Sequence, residues 1–368
     1  MHNSRRASFA AALTGALTIL ALTAAPSLAA GPSVWVAASG LNNPRGIAVG
    51  ADGRVFVAEA GTGAPGSGRI TVIDHGSQRT FAGGLPSITS PEGDVSGPTN
   101  VALNARGNLV AVIGGGPQPL DARFDSVLRL QPGGTRYLGN IQAFVNAHPD
   151  RTDLDQPPNP TDSNAYGAAW VDGAETLVTD AANNTLLIVG PNHRVHMVAK
   201  FPNELVSTSH LPFPAPPELP AEAVPTSVAI GPDGFAYVGE LKGFPFTPGS
   251  SRIWRVDPRA RNVTCDPSAT SGPCTLFMDG FTSITGLDFG PDGSLYVVSI
   301  VKNGVFGFIG GLGDTTGALW KISGGTATEL VPGQLTLPGD VAVARNGTIY
   351  VTNKSVFTGG GEVIAIRP

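Results

Sequence analysis

One phrase recurs six times along the chain: a small or polar residue, a short apolar-alternating run, a turn closed by Gly, and a second β-branched or aromatic run. The copies are Gly46-Ile-Ala-Val-Gly-Ala-Asp-Gly53, Asn100-Val-Ala-Leu-Asn-Ala-Arg-Gly107 and Tyr166-Gly-Ala-Ala-Trp-Val-Asp-Gly173. They continue as Ser227-Val-Ala-Ile-Gly-Pro-Asp-Gly234, Gly286-Leu-Asp-Phe-Gly-Pro-Asp-Gly293 and Asp340-Val-Ala-Val-Ala-Arg-Asn-Gly347. Asp-Gly and Asn-Gly are hairpin signals, because Gly enters φ > 0 without steric penalty. Self-similarity at such a period marks a repeat architecture. The 49 Gly and 32 Pro among 368 residues reinforce this reading, since both are poor in helix interiors.

Each copy continues into further strands. The third is Arg69-Ile-Thr-Val-Ile73 in the first copy and Arg252-Ile-Trp-Arg-Val256 in the fourth; the fourth strand is Arg79-Thr-Phe-Ala82 and Cys274-Thr-Leu-Phe277. The sixth copy ends after its third strand, at Pro368, and the segment resembling the missing fourth strand is Ser33-Val-Trp-Val-Ala-Ala-Ser-Gly-Leu41. The expectation is an all-β, six-bladed β-propeller with four antiparallel strands per blade, the last blade closed by the N-terminal strand. An open solenoid or a pair of sandwiches has no use for a first strand that completes the last repeat.

Residues 1–29 read as a secretory signal peptide: Arg5 and Arg6, then the uncharged run Ala7–Ala25, then small residues before a cleavage point after Ala29. Residues 30–368 form the single propeller domain. The apolar run is short and interrupted for a membrane anchor, and no later stretch reaches the ~20 apolar residues that a span needs. The paired arginines leave twin-arginine export open beside the general secretory route. The expected setting is secreted or extracellular, with a monomer as the simplest state. Cys265 and Cys274 bracket a turn-forming segment, and an oxidising compartment makes them a local disulfide. With 23 basic and 28 acidic residues, nucleic-acid binding gains no support.

The units look like NHL-type repeats, and the chain from about Ala38 to Pro368 resembles the ScyD/ScyE family of secreted propellers. The segments that carry this are Ala38-Ser-Gly-Leu-Asn-Asn-Pro-Arg-Gly46, Ala58-Glu-Ala-Gly-Thr-Gly63, Ser96-Gly-Pro-Thr-Asn100 and Asp162-Ser-Asn-Ala-Tyr-Gly167. Val224-Pro-Thr-Ser-Val-Ala-Ile230, Gly239-Glu-Leu-Lys-Gly-Phe-Pro-Phe246 and Leu335-Thr-Leu-Pro-Gly-Asp340 complete the set. The resemblance implies a secreted propeller and supplies no catalytic residue. Where relatives often show a His after the Gly-Pro of the second blade, this chain has Thr99.

Propeller connectivity puts the start of strand one and the end of strand two on the same face. The long insertions at 146–164, 203–225, 241–251 and 300–317 all fall there, which makes it the loop-rich face and the expected mouth. Strand two ends at Glu59, Ile113, Asp180, Glu240, Ser299 and Asn353 in the six copies. Three carboxylates and an Asn around one axial opening suit a hard cation such as Ca²⁺ or a cationic ligand, with Glu59, Asp180, Glu240 and Asn353 as the metal set. The alternative is that these acids cap backbone N–H groups or pair with Arg45. Arg45, Asn100, Tyr166, Thr226 and Asp340, at or next to the start of the inner strands, complete the expected ligand-binding set. Phe213, Phe244, Phe246, Phe306 and Phe308 form either an apolar rim or loop anchors. His193 and His196 fall on opposite faces of a strand, which disfavours a shared zinc. There is no Gly-x-Ser-x-Gly elbow, phosphate loop or Cys-x-x-Cys pair. The leading reading is a secreted binding protein for a small molecule, a polysaccharide or a protein; the rivals are a metal-dependent, lactonase-like hydrolase and a structural module of the cell surface.

Overall fold

In the computed structural model the described residues are 31–131, 134–171, 175–306 and 313–368. The expected signal peptide at residues 1–29, the Asp172-Gly173 turn and Phe308 lie outside them. Six four-stranded antiparallel units form a six-bladed β-propeller, and the one helix among the described residues is Ile141–Ala147. From the axis outwards, blade 1 runs Pro44–Val49, Val55–Glu59, Gly68–Asp74 and Ser77–Leu85, and blade 2 Pro98–Leu103, Leu109–Ile113, Ser126–Gln131 and Gly134–Asn140. Blade 3 is Ala165–Trp170, Thr176–Asp180, Thr185–Val189 and Val195–Lys200; blade 4 is Pro225–Ile230, Ala236–Glu240, Ser251–Val256 and Cys274–Phe281. Blade 5 is Ile284–Phe289, Leu295–Ser299, Ala318–Ser323 and Thr326–Leu330.

Blade 6 has Val341–Val343, Ile349–Asn353 and Gly361–Arg367, and its outer strand is Ser33–Leu41 from the other end of the chain. Val34 pairs with Ile366, Trp35 with Ala365 and Val36 with Ile364, as the repeat pattern predicts. Blades are near-continuously apolar on their second strands, because both faces of these strands are covered by neighbouring blades. Val55–Glu59, Leu109–Ile113, Thr176–Asp180 and Ala236–Glu240 are buried at every position. The apolar clusters accordingly bridge adjacent blades: Val110, Val112 and Val127 of blade 2 pack with Val178, Leu187 and Val189 of blade 3. Threonine hydroxyls latch blades together at the start of the inner strands: Thr99 donates to Ala165 O at 2.9 Å, Thr226 to Ile284 O at 2.6 Å and Thr352 to Arg45 O at 2.6 Å. Thr99, where the family resemblance leads one to look for His, is one of these latches.

The Cys265–Cys274 bond forms, but it is more than a local clip. Val263–Thr264 adds to blade 3 as a parallel edge strand beside Ala199 and Lys200, and Cys265 N donates to Lys200 O at 2.9 Å. Cys274 opens the outer strand of blade 4. The bridge therefore stitches two blades, buried against Phe201, Val198 and Trp254. Sequence spacing shows the short loop but not the neighbour on which it lies.

Candidate functional site

A residue at the end of strand two stands where the ladder stops and backbone N–H groups lose their partners. Acids there act as caps. Glu59, Asp180, Glu240 and Asn353 are all buried, and each is satisfied within its own blade or by the adjoining loop. The Glu59 carboxylate accepts both Arg69 Nε (2.7 Å) and Nη2 (2.8 Å), Asn42 N (2.7 Å) and the Thr71 hydroxyl. Asp180 accepts from Ser163 Oγ (2.8 Å), Asn164 N (2.9 Å) and Asn183 N (3.1 Å). Glu240 accepts from Trp254 Nε1 at 2.6 Å, with Lys242 Nζ 2.8 Å from its other oxygen. Asn353 accepts from Thr336 N and donates to Glu362, both at 2.8 Å. The four do not form a shared metal set: each is buried among its own separate donors, and two of the acids already hold a cation. Arg45 pairs with none of them; its guanidinium donates to Val95 O at 3.3 Å.

At the start of the inner strands the expected residues partly meet. Strand registers place Gly46, Asn100, Gly167, Ser227, Gly286 and Asp340 at one level. Tyr166 is thus one residue off this level, half-buried beside the neck. Glycine alternates with a polar side chain around the ring for a steric reason. A Cβ on Gly46 would lie 2.6 Å from Asn100 Cα, and one on Gly286 the same distance from Asp340 Cα. Asn100 Nδ2 donates to Asp340 Oδ2 at 3.2 Å, which also accepts Ile47 N at 3.2 Å, while Oδ1 accepts Val341 N at 2.8 Å. Thr226 serves as a latch rather than facing an opening.

Below this neck lies a cavity of about 530 Å³, lined by inner strands of all six blades and by the Asn104-Ala105-Arg106 turn. It opens towards the tight-turn face, opposite the expected mouth. Two levels below Asp340, five blades present Ala48, Ala102, Ala169, Ala229 and Ala342, and the fifth blade presents Asp288. The repeat alignment contains this exception, Gly-Leu-Asp against five copies ending in Ala, and it is the signal the sequence reading passed over. Asp288 Oδ2 accepts Val343 N at 2.7 Å and Oδ1 accepts Phe289 N at 2.8 Å. Burial pushes both carboxyls up to about 7, with the Asp288 charge a further cause at Asp340.

The loop-rich face carries a different acidic group. Asp153 and Asp155 of the 146–164 insertion meet Glu222 of the 203–225 insertion, with one oxygen from each lying within 4.8 Å of the others. Among the described residues no Lys or Arg forms an ion pair with any of the three. Desolvation raises the pKa of Asp155, with Asp153 as a second cause, and desolvation likewise raises Glu222 and the neighbouring Asp162. Asn184 Nδ2 fixes Glu222 at 3.1 Å. A Ca²⁺-type ion takes several hard oxygen ligands from flexible, like-charged loops, and this donor set fits one where the strand-two residues do not. The insertions were legible in the sequence; that two of them fold their acids together was not.

The described rings of the long loops pack on one another. Phe213 packs edge-on against Phe306 at 5.9 Å and Phe244 against Phe246 at 6.0 Å, while Phe213 and Phe244 remain about half exposed. His193 lies in a turn with its Nδ1 3.0 Å from Leu138 O, away from exposed His196.

No protein-family model and no curated protein matches the chain. Solved structures do. The PQQ-bound aldose sugar dehydrogenase of Streptomyces coelicolor superposes with a TM-score of 0.57 at 14% identity, covering 91% of this chain and 98% of that one. A gluconolactonase of Xanthomonas campestris gives 0.53 at 10% identity, covering 91% and 89%. Regucalcin of Agrobacterium tumefaciens, a calcium-binding protein, gives 0.52 at 10% identity, covering 92% and 93%. What is shared at these identities is the propeller fold.

Proposed function

We propose that this chain is a cation-dependent, lactonase-like hydrolase acting on a small lactone or ester at its loop-rich face. The observation that carries the reading is the convergence of Asp153, Asp155 and Glu222 from two insertions with no protein cation beside them. Fold neighbours that include a gluconolactonase and a calcium-binding regucalcin support it. Asp153, Asp155 and Glu222 would hold the ion. Once bound, such an ion polarises a carbonyl and lowers the pKa of a coordinated water. Asp162 stands next to the group, its carboxyl pKa raised by burial and by the charges of Asp155 and Asp153, which is the direction a proton-handling group needs. Asn184 orients Glu222. Export from the cytoplasm and membership of the ScyD/ScyE family belong to the same proposal and are supported by the sequence segments given above.

The test combines calcium addition with a pH-stat assay on small sugar lactones. Ca²⁺ should raise the melting temperature and hydrolysis together, and both effects should disappear in Asp155→Asn with Glu222→Gln. A calcium response without hydrolysis would leave the second reading, a binding protein for a glycan or protein partner. The half-exposed rings of Phe213 and Phe244 beside this face favour that reading.

A further inference from the structure

The axial cavity faces away from the insertions and takes no part in the function proposed above. Each innermost strand of a propeller is an edge strand, so its outward N–H and C=O groups have no ladder partner. Four of these donors are taken up by carboxylates. Asp340 takes the amides of Ile47 and Val341, and Asp288 takes those of Val343 and Phe289. Each carboxylate oxygen still has spare lone pairs to offer a ligand, inside walls of alanine with Trp170 and Phe289 among the lining residues. Among the described residues neither aspartate forms an ion pair. The charged groups that face the cavity are Asp288, Asp340 and, at its exposed turn, Arg106; Arg345 lines an adjoining hollow.

We propose that the axial cavity binds a small organic cation, an apolar body bearing a primary ammonium, which enters from the tight-turn face and is held by Asp288 below the Asn100–Asp340 neck. The volume of about 530 Å³ is in the range that encloses small ligands. An ammonium supplies three donors and a positive charge to these carboxylates, and its apolar body covers the alanine ring. An uncharged analogue leaves both carboxylates without a counter-ion. Ionisation of these carboxyls above about pH 7 places their charge where an ammonium is still protonated.

Isothermal titration at pH 8 with benzylamine, against benzyl alcohol as the neutral isostere, tests this. Benzylamine should bind and benzyl alcohol should not. Asp288→Asn, which keeps an acceptor for the Val343 amide, and Asp288→Ala, which installs the residue of the other five blades, should each weaken the amine by about tenfold or more. Glu222→Gln should leave benzylamine binding intact, which separates failure of this site from failure of the loop-face reading. Absence of heat with benzylamine, equal binding of the alcohol, or unchanged affinity in Asp288→Asn would each overturn the proposal.

Discussion

The stability of this propeller should fall as pH rises from 6 to 8, which is the reverse of a protein held together by ordinary carboxylate salt bridges. Burial lifts Asp125 to about 8, with the charge of neighbouring Asp180 a second cause, and lifts Asp288 and Asp340 to about 7. In the unfolded chain all three titrate near 4, so between pH 4 and 8 the native state binds the extra protons. Their stabilisation is complete below pH 4 and is lost as pH climbs through 7 and 8. From pH 6 to pH 8 the linkage amounts to about 2 kcal/mol for Asp125 and about 1.4 kcal/mol for each of the other two. Because Asp288 raises Asp340, the two share part of that effect, and about 5 kcal/mol is an upper limit for the three. Guanidinium unfolding at pH 6 and 8, at fixed ionic strength with chelator present, reads it directly. Asp125→Asn removes the titration, keeps an acceptor for one of the Ala165 and Gly116 amides, and should flatten the pH dependence by about 2 kcal/mol. Stability that is level or increasing over this range, or a slope unchanged in Asp125→Asn, would refute the reasoning.

Other consequences are as definite. Gly286→Ala drives a methyl group to 2.6 Å from the Asp340 backbone, and the overpacking should cost about 1–3 kcal/mol in the same unfolding assay. Replacing Cys265 and Cys274 by Ala should cost about 2–3 kcal/mol, from the entropy of the short loop they close. Glu59→Ala leaves the half-buried Arg69 guanidinium and the Asn42 amide without their acceptor; a loss of about 1–3 kcal/mol is expected, with the calcium-induced shift in melting temperature unchanged. If that shift vanished in Glu59→Gln, the ion would lie at the strand-two residues and the loop-face assignment would fail.

The ring was legible because its information is local and repeated. A Gly-closed turn and a period-two run recur in every blade, and Ser33–Leu41 differs from an ordinary first strand by resembling a fourth. The site was less legible because acids mean different things at the same sequence position. Glu59 and Asp180 stand where a propeller axis invites a ligand, yet Arg69, Ser163 and backbone amides reach them first. Those partners come from the next strand or the preceding loop, and no spacing rule announces them. Asp153 and Glu222 lie 69 positions apart in separate insertions, and only the stacking of blades 3 and 4 brings them together. Asp288 was visible throughout, as the single acid among five alanines.

Everything depends on closure of blade 6 by the strand Ser33–Leu41. Oxidative cross-linking of a Val34→Cys, Ile366→Cys pair, mapped by peptide mass spectrometry, tests this most directly, because these residues are direct partners in the final ladder. A spontaneous 34–366 disulfide and a more stable protein are expected. Failure of that pair to oxidise, or equal cross-linking of a Val34→Cys, Ile364→Cys control, would contradict it.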